Sequence, residues 1–303
     1  MGEPETAARR LNLSQAFNPV GAILGVIVGT LFIFSGVEHS QQSIETMKAS
    51  GLYDAYLQSE TMRVVIPYIV IGCIVLIWAF VLYKTKFPET KKEENTSYSS
   101  KGSFKKLFSH RHFRNGVITQ FCYVGAQVGT WSYYIPYVQD YTGGSEKLAG
   151  YLLTGTLAAF GIGRFMATIV MKYYAPEKLM GAFSIINILL VSISVLFPGW
   201  LGLWSIFLTS FFMSLMFPTI FTLSIKGLGD NTKLGGSIIV MAIIGGAVFT
   251  PLMGIIADST HSMAIAMLVP LACYLVVTWF SYSGSASTSD LKISDDPEVF
   301  TSH

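Results

Sequence analysis

The sequence is short of charge. Lys, Arg, Asp and Glu together make up 13% of its 303 residues, about half the share of an ordinary soluble domain. The charges stand in clusters between long apolar runs, where a soluble chain would spread them over its surface. With 51% hydrophobic residues and a mean hydropathy of +0.52, this pattern excludes a water-soluble globule and reads as a membrane chain. A net charge of only +2 offers no basic surface for a nucleic acid partner. The three cysteines, Cys73, Cys122 and Cys273, each fall inside an apolar run with no C-x-x-C spacing, which excludes a disulfide framework or thiolate metal site and leaves them as packing residues. There is no phosphate-binding loop, no G-x-S-x-G and no H-E-x-x-H, so neither an ATP-driven pump nor an enzyme is indicated, and no catalytic residue, metal ligand or cofactor is expected.

A second lack is more telling. All 18 Asp and Glu residues lie outside the interiors of the apolar runs, with Asp140 and Asp258 at their edges. A titrating carboxylate within the membrane is the usual way to couple a proton to transport. Two readings stay open: the coupling acids lie outside this chain, or the chain is a facilitator without them.

What is present is a series of about eight runs of the roughly 20 apolar residues a bilayer crossing needs. They lie near 11–34, 63–85, 114–139, 148–172, 178–198, 200–225, 235–257 and 262–282. Strand alternation is missing, so an all-α membrane fold is expected rather than a barrel. Residues 35–62 read as a polar loop with a short helix on the membrane surface, carrying Ile44, Met47, Tyr53, Tyr56 and Leu57. Arg9 and Arg10, the basic stretch 86–112, Lys172 with Lys178, and Lys226 with Lys233 all fall on one side if eight spans alternate. That side, with both termini, is expected to be cytoplasmic. The organisation is then two spans within 1–85 as part of an incomplete half, a basic cytoplasmic linker at 86–112, six spans within 113–282, and a disordered Ser/Asp-rich tail at 283–303.

Polar residues inside the runs are candidates for a site, because an amide in lipid is costly unless it faces a cavity or a neighbouring helix. Asn12, Gln15 and Asn18 share a face of the first span, beside a ridge of Gly21, Gly25 and Gly29 expected to pack closely on another helix. For Gln15 and Asn18, sugar binding and interhelical hydrogen bonding both remain open. In the third span Gln120, Tyr123, Gln127, Trp131 and Tyr134 recur at helical spacing on one face. Amides hydrogen-bond hydroxyl pairs and aromatic rings cover the apolar C–H face of a pyranose, so this face has the chemistry of a monosaccharide site. For Tyr133, Tyr134 and Tyr137 the alternative is an interfacial aromatic belt. Arg164, the one base well inside a span, is expected to snorkel or to make a gate contact at the cytoplasmic end. Pro19, Pro67, Pro136, Pro218, Pro251 and Pro270, with the glycine pairs at 235–236 and 245–246, mark expected bends.

Several of these segments, in order, resemble one family. Arg10-Leu-Asn-Leu-Ser-Gln-Ala-Phe-Asn18 is similar to the fifth helix of the fucose permease and glucose/galactose transporter family of the major facilitator superfamily. Gln120–Gln127 with Trp131–Tyr133 resembles its seventh helix, and Tyr151–Thr156 with Gly163–Phe165 its eighth. Pro218–Lys226, Ile238–Met241 and Thr250–Gly254 resemble its tenth and eleventh. The resemblance implies a twelve-helix major facilitator fold and proton-coupled uptake of fucose, galactose or glucose by alternating access. It implies that the coupling carboxylates belong to first and fourth helices that this chain lacks. It places Gln15 and Asn18 on one cavity wall, Gln127 and its helix face on the other, and Phe217 where the family has a tyrosine beside the cavity. The alternatives kept beside it are a truncated membrane protein that binds a sugar or a partner without transport, and a facilitator for another small polar solute.

Overall fold

A chain in lipid finds no water for its backbone N–H and C=O groups, so each crossing closes its own hydrogen bonds as helix. The computed structural model describes residues 18–33, 41–85, 104, 107–171 and 173–285, and every regular element among them is helical. Arg9, Arg10, Asn12, Gln15, the central part of the basic linker and the tail from 286 onwards lie outside the described residues.

Helix α1 covers Asn18–Val28 and passes into a π-helical turn, Gly29–Ile33. Two helices follow, α2 at Gln41–Ala49 and α3 at Tyr53–Lys84. Beyond the linker come α4 (Arg111–Ser132), α5 (Tyr134–Thr142), α6 (Glu146–Val170) and α7 (Pro176–Leu196). The chain continues with α8 (Trp200–Met213), α9 (Met216–Ile225), α10 (Thr232–Met241) and α11 (Gly245–Thr260), the last two joined by a 3₁₀ turn at Ala242–Ile244. It closes with α12 (Met263–Ala266), α13 (Leu268–Trp279) and a π-helical turn at Phe280–Gly284.

Among the described residues six helical stretches are long and apolar enough to cross a membrane: Tyr53–Lys84, Glu146–Val170, Pro176–Leu196, Trp200–Ile225, Thr232–Thr260 and Met263–Gly284. The other two expected runs correspond to α1, apolar but short over Val20–Phe32, and to α4 with α5. Helix α4 falls below the apolar threshold because it carries Arg111, Arg114, Asn115, Gln120 and Gln127 along one length of helix. The second crossing begins at Tyr53, about ten residues before the expected 63, so the stretch read as loop is partly the polar start of a 32-residue helix. An ion pair, Arg63 Nε to Glu60 Oε1 at 3.3 Å, marks that polar end.

The hydrophobic core lies among α4 to α13, around Tyr123, Tyr134, Tyr137, Met180, Ile206, Met213 and Tyr274. Helix α3 contributes no buried residue. A smaller cluster, Leu107, Phe113, Leu228 and Ile239, ties the end of the linker to the ends of α9 and α10. Leu107, at the end of the linker, is thus fully buried against Phe113 and Leu228.

Three crossings are broken in mid-course, each with a proline three or four residues downstream: Pro136 after Tyr133, Pro218 after Ser214 and Pro270 after Met267. Proline has no N–H for the carbonyl four residues back and its ring crowds that carbonyl, so the helix parts there. Thus α4 and α5 are separate helices, and so are α8 and α9.

Small residues let the backbones meet, though not where the sequence placed them. A Cβ on Gly21, Gly25 or Gly29 would meet nothing within 4 Å among the described residues. The contact between α1 and α6 is made the other way round, with Thr30 seated against Gly150. The tight approaches are at Gly245, whose Cβ would strike the Phe121 carbonyl, and at Gly163, which faces the Phe211 carbonyl. Backbone atoms cannot step aside as a side-chain end can. Gly245→Val is expected to lower the thermal midpoint in detergent by the equivalent of about 1–3 kcal/mol, while Gly21→Ala leaves it unchanged. Equal midpoints for Gly245→Val and the parent would show that α4 and α11 do not touch there.

Candidate functional site

The segment from Arg111 to Thr142 is the least apolar crossing, and its polar side chains reach in every direction. At one end His112 Nε2 lies 2.9 Å from the Lys226 carbonyl, and Asn115 Nδ2 donates to the Gly284 carbonyl at 3.3 Å. At the other end the Tyr137 hydroxyl donates to the Ser194 carbonyl at 2.8 Å. There too, the Tyr141 hydroxyl meets Ser262 Oγ at 3.0 Å and accepts the Ala264 N–H at 3.0 Å. Between them Tyr123 donates to the Met213 carbonyl at 2.9 Å, Trp131 Nε1 to Ser210 Oγ at 3.1 Å, and Tyr133 to the Thr250 carbonyl at 3.2 Å. Of the tyrosines read as a possible interfacial belt, Tyr133 and Tyr137 are thus interhelical ties, and Tyr134 and Tyr137 are fully buried.

The expected sugar face divides into two sets. Gln127 and Trp131 are half-buried, and so is Phe217 on α9. Tyr123 on α4 meets Phe217, its ring centroid 6.5 Å from that of Phe217 in an edge contact. Gln120 and Tyr134, by contrast, are wholly enclosed. Among the described residues neither end of the Gln120 amide has a hydrogen-bond partner, and the Tyr134 hydroxyl has none. Tyr134 also leaves the helical register of the others, because the break at Tyr133 starts α5 anew. Of the face on α4, only Gln127 and Trp131 are accessible in this conformation. Gln15 lies outside the described residues, and Asn18 is placed only as the first residue of α1.

Arg164 points towards the middle of the bundle. Helical side chains lean towards the N-terminus of their helix, and here that direction is inward. Its Nε donates to the Ser214 carbonyl at 3.3 Å, and the guanidinium carbon stands 5.0 Å from the Phe160 ring centroid. Ser214 sits at the break between α8 and α9, well within the 200–225 crossing.

The sequence reading passed over Asn187. It is a single amide in the apolar run of α7, now fully buried beside the Tyr274 hydroxyl without a well-formed hydrogen bond. The same signal that singled out Gln120, an amide at mid-span, was available for it. Ser184 Oγ and Thr278 Oγ1, 2.8 Å apart, make a further tie between α7 and α13.

Among the described residues no Asp or Glu side chain is buried, and no three His, Cys, Asp or Glu side chains gather as a metal site. The arrangement is one of amides, hydroxyls and rings, suited to a neutral polyhydroxylated ligand and lacking an acid of its own.

Comparison with known proteins gives the same direction. The model of the Major Facilitator Superfamily matches residues 3–233. The L-fucose-proton symporter of Escherichia coli is 41% identical over 284 residues, which cover 92% of this chain and 65% of the symporter. The L-fucose-proton symporter of Haemophilus influenzae is 33% identical, with 93% and 68% covered. A glucose/galactose transporter of Brucella abortus is 31% identical, with 95% and 66% covered. Among solved structures, a Major Facilitator Superfamily transporter, FucP, in the outward conformation superposes with a TM-score of 0.69 at 40% identity, over 95% of this chain and 70% of that one. The chain therefore spans about two thirds of the length of these relatives.

A buried amide with both ends unpartnered costs about 1–3 kcal/mol. Gln120→Met is accordingly expected to raise the thermal midpoint of the protein in detergent. A fall would mean that the amide has partners in the folded membrane protein.

Proposed function

The chain belongs to the Major Facilitator Superfamily, and from that premise we propose that it serves in proton-coupled uptake of a monosaccharide of the fucose, galactose or glucose type by alternating access. The observation that carries the reading is the pairing of a half-buried amide with half-buried aromatic rings, Gln127 and Trp131 on α4 and Phe217 on α9, inside a crossing too polar to have been built for lipid contact alone. The names of the relatives, L-fucose-proton symporter and glucose/galactose transporter, support the same substrate class.

In this reading Gln127 hydrogen-bonds a pair of sugar hydroxyls, and Trp131 lies against the C–H face of the ring. The Trp131 N–H is already donated to Ser210, so its contribution is contact of the ring alone. Phe217 adds apolar surface but no hydroxyl. Gln15 and Asn18 form the opposing wall, and Gln120 and Tyr134 reach the sugar only in a conformation that opens the bundle around them. Arg164 acts at a gate between conformations. Both chain ends and the basic linker face the cytoplasm, and the bilayer and the monosaccharide are the partners. The coupled ion is a proton.

The second reading is a membrane protein that binds sugar without moving it. It is favoured by the absence of any buried carboxylate among the described residues, since a proton needs a titrating group to ride on.

Uptake of labelled L-fucose, D-galactose and D-glucose into cells lacking their own carriers, with and without an uncoupler, separates the two. Transport of one sugar that collapses with the uncoupler is expected, with Gln127→Ala and Trp131→Ala each weakening apparent affinity about tenfold or more, in line with the loss of one good hydrogen bond or ring contact of roughly 1.4 kcal/mol. Equilibrium binding without uptake would establish the second reading, and no binding of any of the three would end both.

A further inference from the structure

Three side chains and one carbonyl on two facing helices close a ring with Trp131. Phe160 and Arg164 are one turn apart on α6. Ser210 and Ser214 are one turn apart on the crossing that holds α8. Trp131 from α4 joins both pairs: its indole N–H donates to Ser210 Oγ at 3.1 Å, and its ring meets Phe160 edge-on, with centroids 5.2 Å apart and planes at 84°. The Phe160 ring in turn faces the Arg164 guanidinium carbon at 5.0 Å, and Arg164 Nε returns to the Ser214 carbonyl at 3.3 Å.

The last link exists because of Pro218. In an unbroken helix the N–H four residues on would take the Ser214 carbonyl; proline has none to give. A carbonyl without its helical partner, inside a membrane protein, is a strong acceptor, and a guanidinium there needs acceptors in return. Arginine suits the place better than lysine, since its planar head stacks on a ring while its N–H groups donate within the same plane.

We propose that Arg164 and Phe160 are positioning residues for Trp131, anchored on the carbonyl that Pro218 releases, so that the proline break of the tenth family helix sets the pose of the aromatic surface offered to the sugar. The proposal rests on the sugar-binding reading for its consequence in affinity, though not for the link between the residues. Neither Phe160 nor Arg164 needs to touch sugar. The indole is fixed at its N–H edge by Ser210 and against its ring by Phe160, and Phe160 is held by the cation above it. Loss of the anchor frees the ring to turn about Cα–Cβ and Cβ–Cγ, and a ring that samples several poses gives up part of the preorganisation that a stacking contact requires.

The test uses the full chain reconstituted in nanodiscs, with two readouts. The first is equilibrium binding of labelled L-fucose, D-galactose and D-glucose. The second is the emission of Trp131 alone, taken as the difference between each protein and the same protein carrying Trp131→Phe, without sugar. Arg164→Gln and Phe160→Leu are expected to shift the Trp131 emission and to weaken sugar binding by about fivefold to tenfold. Phe160→Tyr keeps both near the parent, and Arg164→Lys does not restore them. Pro218→Ala returns an N–H to the Ser214 carbonyl and is expected to act in the same direction. Added to Arg164→Gln, it should cause little further loss, because both changes cut one link. Should Pro218→Ala fail to fold, Phe160→Leu combined with Arg164→Gln completes an equivalent cycle across the neighbouring contact.

Additive losses in the cycle, or an unmoved Trp131 emission in Arg164→Gln, would overturn the proposal. If the parent binds none of the three sugars, the sugar reading fails, while the emission arm still decides whether Arg164 and Phe160 hold Trp131.

Discussion

The structure depends on one constraint: inside a bilayer every backbone N–H and C=O must find its partner within the protein. The crossing formed by α4 and α5 meets that constraint by spending its polar side chains on the backbones of its neighbours. Tyr123, Tyr133 and Tyr137 each donate to a main-chain carbonyl, on α8, α11 and α7 respectively. Such bonds are worth a modest amount each, about 1–2 kcal/mol in membrane settings. Their value lies in direction. A carbonyl fixed in a helix is a rigid target, so each tyrosine sets the height and rotation of α4 or α5 against another helix. Apolar contact with lipid-like neighbours sets neither.

Proline and glycine act on the same constraint from opposite sides. Proline withholds a donor and so releases a carbonyl at mid-membrane, as at Ser214, which a long polar side chain can then claim. Glycine removes bulk and lets two backbones touch, as Gly245 does with the Phe121 carbonyl and Gly163 with that of Phe211. At Gly245 a close contact and a bend coincide, since it opens α11 directly after the 3₁₀ turn at Ala242–Ile244. Gly235 and Gly236, grouped with the bends by their pattern, fall within α10; Gly235 faces the small cluster around Leu107 and Phe113.

Much of the architecture was legible because hydrophobic length is a coarse signal that lipid makes strict. The run from Pro176 to Leu196 was read to within two residues at each end. The start of α3 at Tyr53 was not, since a helix leaving the membrane loses its apolar character before it loses its helical one. Side-chain destinations were less legible. The spacing of Gln120, Gln127 and Tyr134 put them on one face, but spacing cannot tell a cavity wall from the inside of the bundle, nor foresee that the break at Tyr133 resets the register. Arg164 reads as a residue that snorkels or makes a gate contact at the cytoplasmic end. Its inward course needed the position of Ser214, fifty residues away, which no local pattern carries. Asn187 carried a visible signal that the reading let pass.

The ties at the two rims have a mechanical meaning. His112 with Lys226 and Asn115 with Gly284 bind helix ends at one face of the membrane, while Tyr141 with Ser262 and Ala264 binds them at the other. A bundle hooped at both rims resists splaying. Torque delivered at one face arrives at the opposite face nearly undiminished, and whatever displacement the six helices undergo is shared among them as a single lever.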